Sequence, residues 1–342
     1  MIFSIQYLRA IAALLVVISH IAWKNIQTGG STMHWWHEAG TFGVDIFFII
    51  SGYIMVYITQ NMHQKPNNIR NFIKKRFIRI VPLYWFYTLI ALIIFLLLPE
   101  RVNSGGGDTE IIKSFFLLPL SSTQNYLVGV GWTLHYEFIF YILFSFGLLF
   151  NRVRGNILVG STILLLVLGS IYIPMEGMSY IAYSFLNDIF IEFGLGIFLY
   201  FLLLRFKKIP FRLSLGAIII GIALFYYLHT GGTLTDIHHI DTGLSAFLIC
   251  FGVISLEYIW KKRECKLLTA LGNASYSIYL LHPFVLVTVV MFNEKLQNFI
   301  PQSEVFLIFM MIIISLASGY ISYLFIEKYL IQWTKKIFNP KL

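Results

Sequence analysis

Apolar stretches of roughly twenty residues recur from one end of this chain to the other, and that repetition leaves few folds open. Inside hydrocarbon every backbone N–H and C=O must be satisfied within the protein, so only helices and closed barrels can span. Runs of this length suit a helix, because a barrel strand needs only about ten residues. Composition agrees: 58% of residues are hydrophobic, 12% are charged and the mean hydropathy is +0.77. Soluble domains carry about 25% charged residues. The chain therefore reads as an all-α integral membrane protein of about ten transmembrane helices. The expected spans are about 5–23, 41–60, 78–98, 131–150, 156–173, 184–204, 212–229, 241–260, 273–292 and 304–326. The first is not expected to be a cleaved signal peptide, being too long, interrupted by Arg9 and His20, and followed by no small-residue cleavage site. Cys250 and Cys265 provide neither a disulfide framework nor metal-ligand spacing, and no metal is expected.

Charge gives the topology. Loops 61–79, 151–155, 205–212 and 261–266, together with the tail from Glu327, hold 20 basic residues. The alternate loops hold only Lys24, Arg101, Lys113 and Lys295. By the positive-inside rule both termini are cytoplasmic. Thirteen of the 16 acids fall in the outer half, leaving Glu257, Glu264 and Glu327 inside. Insertion bias and attraction to anionic inner-leaflet lipid explain such a gradient; a cytoplasmic polyanion such as a nucleotide or coenzyme is compatible with it. The segment 99–130, with its NSGGGD stretch and apolar FFLLPL patch, is the longest non-helical piece and lies outside. A single membrane domain over 1–342 is expected, with no separate soluble domain.

The topology assigns depths to the polar residues. Arg9 and His20 are eleven residues apart on the first helix, close to three whole turns, so they share a face about 16 Å apart along the axis. Intramembrane ionisable groups usually mark a functional path, although a snorkelling arginine and a structural histidine are the plain alternatives. Asp45 enters the second span at about the depth of His20, where it could orient the imidazole or merely complement the helix dipole. Ser51 and Gly52 read as close-packing residues. KKRFIRIVPLYW places Arg76, Arg79 and Tyr84 at the cytoplasmic start of a helix; the i, i+3 arginines share a face and suit phosphate oxygens, whereas Lys74 and Lys75 read as a stop-transfer cluster. Glu137 lies about two turns below the outer surface, where a carboxylate must pair, protonate or face water. His135 reads as interfacial. Asp188 and Glu192 are expected at i, i+4 on one helix. His282, just before Pro283, either serves a function or satisfies the carbonyl the proline frees.

Arg9-x10-His20, GVDIFFIISGYIM, RFIRIVPLYW, GWTLHYEFIFY and ASYSIYLLHPF occur in that order across nearly the whole chain. Together they resemble the membrane acyltransferase-3 family, which includes many bacterial surface-polysaccharide O-acetyltransferases. The resemblance implies ten core helices in a bacterial inner membrane and acetyl-CoA or another acyl-CoA as donor. It also implies transfer to a hydroxyl of an extracytoplasmic or lipid-linked glycan. Arg9 and His20 are then essential. Arg76, Arg79 and Tyr84 lie in the donor region with Arg9, and Asp45 and Glu137 act beside His20. Acyl-CoA, the glycan or lipid-linked sugar and membrane lipid are the expected partners; nucleic acid is not. The chain resembles the branch without an SGNH-type domain. A secondary transporter or flippase for a lipid-linked sugar shares ten helices and buried charges, but its paired interrupted helices are not seen.

Overall fold

The computed structural model describes residues 2–27, 34–103, 106–174, 177–206, 208–235, 237–296 and 304–338. Ser104 and Gly105 of the NSGGGD stretch lie outside the described residues, as do Glu176, Lys207, Asp236 and Lys341 of the charge map. The helices are α1 (Phe3–Gln27), α2 (His34–Thr59), α3 (Pro66–Leu97), α4 (Ile111–Phe116), α5 (Gly131–Gly147), α6 (Arg152–Tyr172) and α7 (Tyr180–Phe185). They continue with α8 (Phe190–Arg205), α9 (Phe211–His229), α10 (His238–Ser255), α11 (Glu257–Trp260), α12 (Lys266–Leu296), α13 (Glu304–Ser322) and α14 (Lys328–Phe338). A short parallel pair, β1 (Asp108–Glu110) and β2 (Gln124–Tyr126), is bridged by α4.

Among the described residues nine helical stretches are long and apolar enough to cross a membrane. The expected span 131–150 is the 17-residue α5, about 26 Å long and so slightly shorter than a hydrocarbon core. It stops where Gly147 meets Gly155, and Asn151 then caps α6 by accepting the Arg154 N–H at 2.9 Å. Other ends run past the hydrocarbon. α3 begins at Pro66, a residue preset for the first helical position, so the basic KKRFIR run is helical and not loop. α13 passes through a π-helical segment, Tyr323–Glu327, directly into α14. Glu327 therefore stands inside a helix, not at the start of a tail. The span expected at 184–204 is broken between α7 and α8, so Asp188 sits in the turn before α8 and does not share a helix with Glu192.

The chain divides into two compact units. The first comprises Met1–Leu8, Val44–Arg76 and Thr133–Cys265; the second comprises Arg9–Gly43, Phe77–Trp132 and Lys266–Leu342. In the first, α2 and α8 touch backbone to backbone. A Cβ added at Gly52 would stand 2.2 Å from the Phe193 carbonyl oxygen, and one at Gly196 would stand 2.1 Å from that of Ile49. Lipid offers no hydrophobic drive between helices, so such close approach supplies the packing energy. Glu257 fixes the start of α1, accepting the N–H groups of Phe3 at 3.0 Å and Ser4 at 2.8 Å.

In the second unit α1 and the start of α2 cross at Gly40 and Gly43, against Ser19 and Ala12. Here the FFLLPL region does more than rest at the interface. The Tyr84 hydroxyl donates to the Ser114 carbonyl at 2.7 Å and the Trp85 indole N–H to the Phe115 carbonyl at 2.8 Å. Ser114 and Tyr84 are both fully buried. Tyr84 is thus placed beside α4, near the middle of α3 and not at its start.

Candidate active site

The second unit holds two facing imidazoles. The Nδ1 of His20 lies 2.9 Å from the carbonyl oxygen of Val16, one turn back on α1. A carbonyl only accepts, so Nδ1 carries the proton and Nε2 keeps the lone pair. His282 is held likewise, its Nδ1 lying 3.2 Å from the Ile278 carbonyl on α12. The two rings are edge to face with centroids 4.8 Å apart. His282 is fully buried and its Nε2 has no hydrogen-bond partner, an arrangement a merely structural histidine would normally avoid. His20 also lines a cavity of about 590 Å³, together with Pro283 and the connection that follows α3, including Arg101, Asn103 and Asn125. This is a basic nitrogen on the wall of a chamber of ligand size.

Toward the other end of α1, the second unit gathers its arginines around an acid. Glu327 is fully buried; Ser277 donates to its Oε2 at 2.6 Å, and Arg79 and Arg9 lie within electrostatic reach. Two guanidinium groups around one carboxylate leave a net positive site able to take a further anion. Sequence reasoning had put Glu327 at the head of the tail. The π-helical segment Tyr323–Glu327, a form often found at functional positions, turns it inward.

The first unit contains the remaining predicted residues in two groups. Glu137 accepts from Ser51 at 3.1 Å and from the Tyr141 hydroxyl. Arg76 lies over the Tyr141 ring, 5.8 Å from its centroid, and over that of Phe72 at 5.9 Å. Of the two predicted arginines, Arg76 lies against Tyr141 in this unit, and Arg79 lies within electrostatic reach of Glu327 in the other. Ser51, read as a packing residue, is a ligand of Glu137. Asp45 belongs to the second group. Its Oδ1 is 3.8 Å from His239 Nδ1, which lies 2.6 Å from Glu192 Oε1. Asp45 and Glu192 are buried. The imidazole beside Asp45 in this unit is that of His239, a residue sequence reasoning passed over because three separate helices supply the group.

One donor atom from each of these three side chains lies within 4.8 Å of the others, the atom types that hold a divalent cation. The His239–Glu192 separation is that of a charge-assisted hydrogen bond. It is shorter than the spacing of two ligands held about 2.0–2.2 Å from one tetrahedral metal. As it stands the group is an acid–imidazole hydrogen-bond cluster.

A family profile for the acyltransferase domain matches residues 2–324. The chain belongs to the acyltransferase-3 family. It is similar to the exopolysaccharide production protein ExoZ of Rhizobium meliloti (strain 1021), with 32% identity over 253 residues, 72% of this chain and 77% of that one. Acyltransferase MdmB of Streptomyces mycarofaciens is 29% identical over 150 residues, 41% of this chain and 38% of MdmB. Peptidoglycan O-acetyltransferase OatA of Listeria monocytogenes serovar 1/2a is 30% identical over 116 residues, 33% of this chain and 17% of OatA. No solved structure matches. The chain is thus an acyltransferase built as a multi-pass membrane protein.

Proposed function

We propose that this acyltransferase moves an acetyl or related acyl group from cytoplasmic acyl-CoA to a hydroxyl of an extracytoplasmic or lipid-linked surface glycan, in a bacterial inner membrane. The observation that carries the reading is His20 on the wall of the 590 Å³ cavity, its Nδ1 tied to Val16 and its Nε2 lone pair free for chemistry. The names of ExoZ and OatA, an exopolysaccharide production protein and a peptidoglycan O-acetyltransferase, support a glycan acceptor.

In this reading Nε2 of His20 takes the proton of the acceptor hydroxyl as its oxygen bonds to the thioester carbonyl carbon. The carbon–sulfur bond breaks, and the imidazolium returns that proton to the departing CoA sulfur. Arg9 and Arg79, held by Glu327, bind the CoA phosphates. Arg76 and Tyr84 are retained as donor-side residues, although the Tyr84 hydroxyl already donates to Ser114. Asp45 shapes charge together with His239 and Glu192, and Glu137 acts with Tyr141 beside Arg76. The rise of about 16 Å from Arg9 to His20 is of the order of an extended pantetheine arm, so the phosphates can stay at one end of α1 while the thioester reaches the other. The test is transfer of labelled acetyl from acetyl-CoA to surface polysaccharide by the purified protein and by His20→Ala. Transfer is expected from the first and not from the second. Equal transfer by both would remove His20 from the chemistry.

A further inference from the structure

The first unit holds a cavity of its own, of about 360 Å³, within the range of small-ligand pockets. The end of α2, the connection from α8 to α9 and the short α11 supply its wall, and the basic loops 205–212 and 261–266 border it. Tyr53, Tyr57 and Tyr258 line it with Lys261 and a set of apolar side chains. Tyr53 and Tyr57 stand one turn apart on α2, their rings parallel to within 10° and their centroids 6.4 Å apart. Among the described residues the three tyrosine hydroxyls and the Lys261 ammonium have no hydrogen-bond or ion-pair partner. Glu257, the one acid on this wall, is already engaged. Its Oε1 accepts from the Phe3 N–H, and its Oε2 from the Ser4 N–H and from the Ser4 hydroxyl at 2.6 Å. Lys262 and Arg263, both exposed, follow Lys261 at the rim.

We propose that this cavity binds a nucleoside phosphate, with the base against the rings of Tyr53 and Tyr57 and a phosphate at Lys261. Aromatic faces stack on any planar base, and an ammonium at a basic rim takes a phosphate as a point charge. Other occupants fit less well. An apolar chain would strip water from three hydroxyls and an ammonium and put nothing in its place. A small inorganic anion makes no use of the ring faces, and a cation is repelled by Lys261 and its basic neighbours. The choice of a nucleotide rests on the acyl-CoA reading above, which requires one at the basic face. The adenosine end of that donor and a free nucleotide share the chemistry.

In the experiment adenosine 3′,5′-bisphosphate is titrated into the purified full-length protein and its binding followed by calorimetry. Acyl transfer from acetyl-CoA and from S-acetylpantetheine, which lacks the nucleotide, is measured in parallel. The parent should bind the bisphosphate. Tyr57→Leu should raise its Kd about 5- to 150-fold, the range of one lost base–aromatic stack. Tyr57→Phe keeps the ring and should stay within about 3-fold of the parent. Lys261→Gln should raise the Kd by up to about 5-fold, and Lys261→Arg should restore it. Tyr57 and Lys261 are exposed, so these variants leave the packed interior alone. If the donor is the source, Tyr57→Leu raises the acetyl-CoA KM by the same factor and leaves transfer from S-acetylpantetheine unchanged. If a free nucleotide is the source, its Kd moves and the acetyl-CoA KM does not; either result supports the site. Absence of binding to the parent, or an equal Kd for the parent and Tyr57→Leu, overturns the inference. Binding that Tyr57→Leu weakens, in a protein that transfers no acyl group, would sustain it and instead overturn the acyl-CoA reading.

Discussion

At the scale of single residues the candidate site rests on the facing rings of His20 and His282. Both imidazoles donate through Nδ1 to a carbonyl one turn back, which fixes the tautomer without a carboxylate and leaves the lone pair on Nε2. The burial of His282 with an unpartnered Nε2 costs about 1–3 kcal/mol, so a purely structural position would be better filled by an apolar ring. His282→Phe is therefore expected to unfold at the same temperature as the parent or higher. It should lower kcat at least 10-fold and leave the KM for acyl-CoA unchanged, because it removes the unpartnered Nε2 beside His20 and leaves the Arg9–Arg79–Glu327 group intact. Thermal unfolding and single-turnover transfer on one preparation decide this; a fall in stability with kcat intact would make His282 a structural residue. On the proposed donor side, Arg79 and Arg9 both lie within electrostatic reach of Glu327. Arg79→Ala should raise the acyl-CoA KM about 10- to 150-fold, the usual cost of a lost charge-assisted contact. Lys75→Ala, at an exposed position of α3, should change it less than about 3-fold. Equal small effects at both positions would mark a general basic surface.

Helix existence was legible in the sequence because the bilayer demands a length and periodicity that apolar runs display. Ends were not. α3 and α12 run into polar sequence whose Lys, Arg and Asn residues continue a helix in water or headgroups as readily as they form a loop, and hydropathy has no signal there. The grouping of the candidate residues was legible in part. Arg9 and His20 share α1 and can be related by helical geometry alone. The group Asp45–Glu192–His239 joins α2, α8 and α10, and nothing in a single sequence links residues so far apart. Glu327 was hidden by the π-helical segment that turns it inward, since one inserted residue shifts every later side chain around the axis. Tyr84 shows the same limit: its motif placed it with the arginines, and the fold places its hydroxyl on α4. Tyr84→Phe should take from the buried Ser114 carbonyl its shorter hydrogen bond, leaving it the Leu117 N–H at 3.4 Å, and lower stability by about 1 kcal/mol. The acyl-CoA KM should stay within about 3-fold of the parent if anchoring α4 is the only work of that hydroxyl. A rise like that of Arg79→Ala would give the Tyr84 hydroxyl a part in donor binding as well.

For the whole molecule the deciding property is direction. Twenty basic residues fall on the side the charge rule assigns to the cytoplasm and thirteen acids on the other, so a donor with several phosphates is drawn to one face only. Along α1 this polarity has a matching order, Arg9 toward the basic end and His20 toward the acidic end. If the reaction used one compartment, a positive site and a basic imidazole about 16 Å apart on one helix would have no reason to face one way. The reaction is therefore expected to be vectorial. Sealed vesicles of known orientation, with labelled acetyl-CoA on one side and glycan acceptor on the other, test it directly. Label should reach glycan when acetyl-CoA meets the basic face and acceptor meets the opposite one, and should not when the two are exchanged. Raising ionic strength should weaken donor use more than the intrinsic rate at saturating donor, because screening acts on the phosphate-binding end of the path and not on proton transfer at His20. Transfer that occurs only when donor and acceptor share the basic side would end the through-membrane mechanism. His20 would then act on an acceptor that reaches it from the cytoplasm, and the acid-rich outer half would be a consequence of insertion alone.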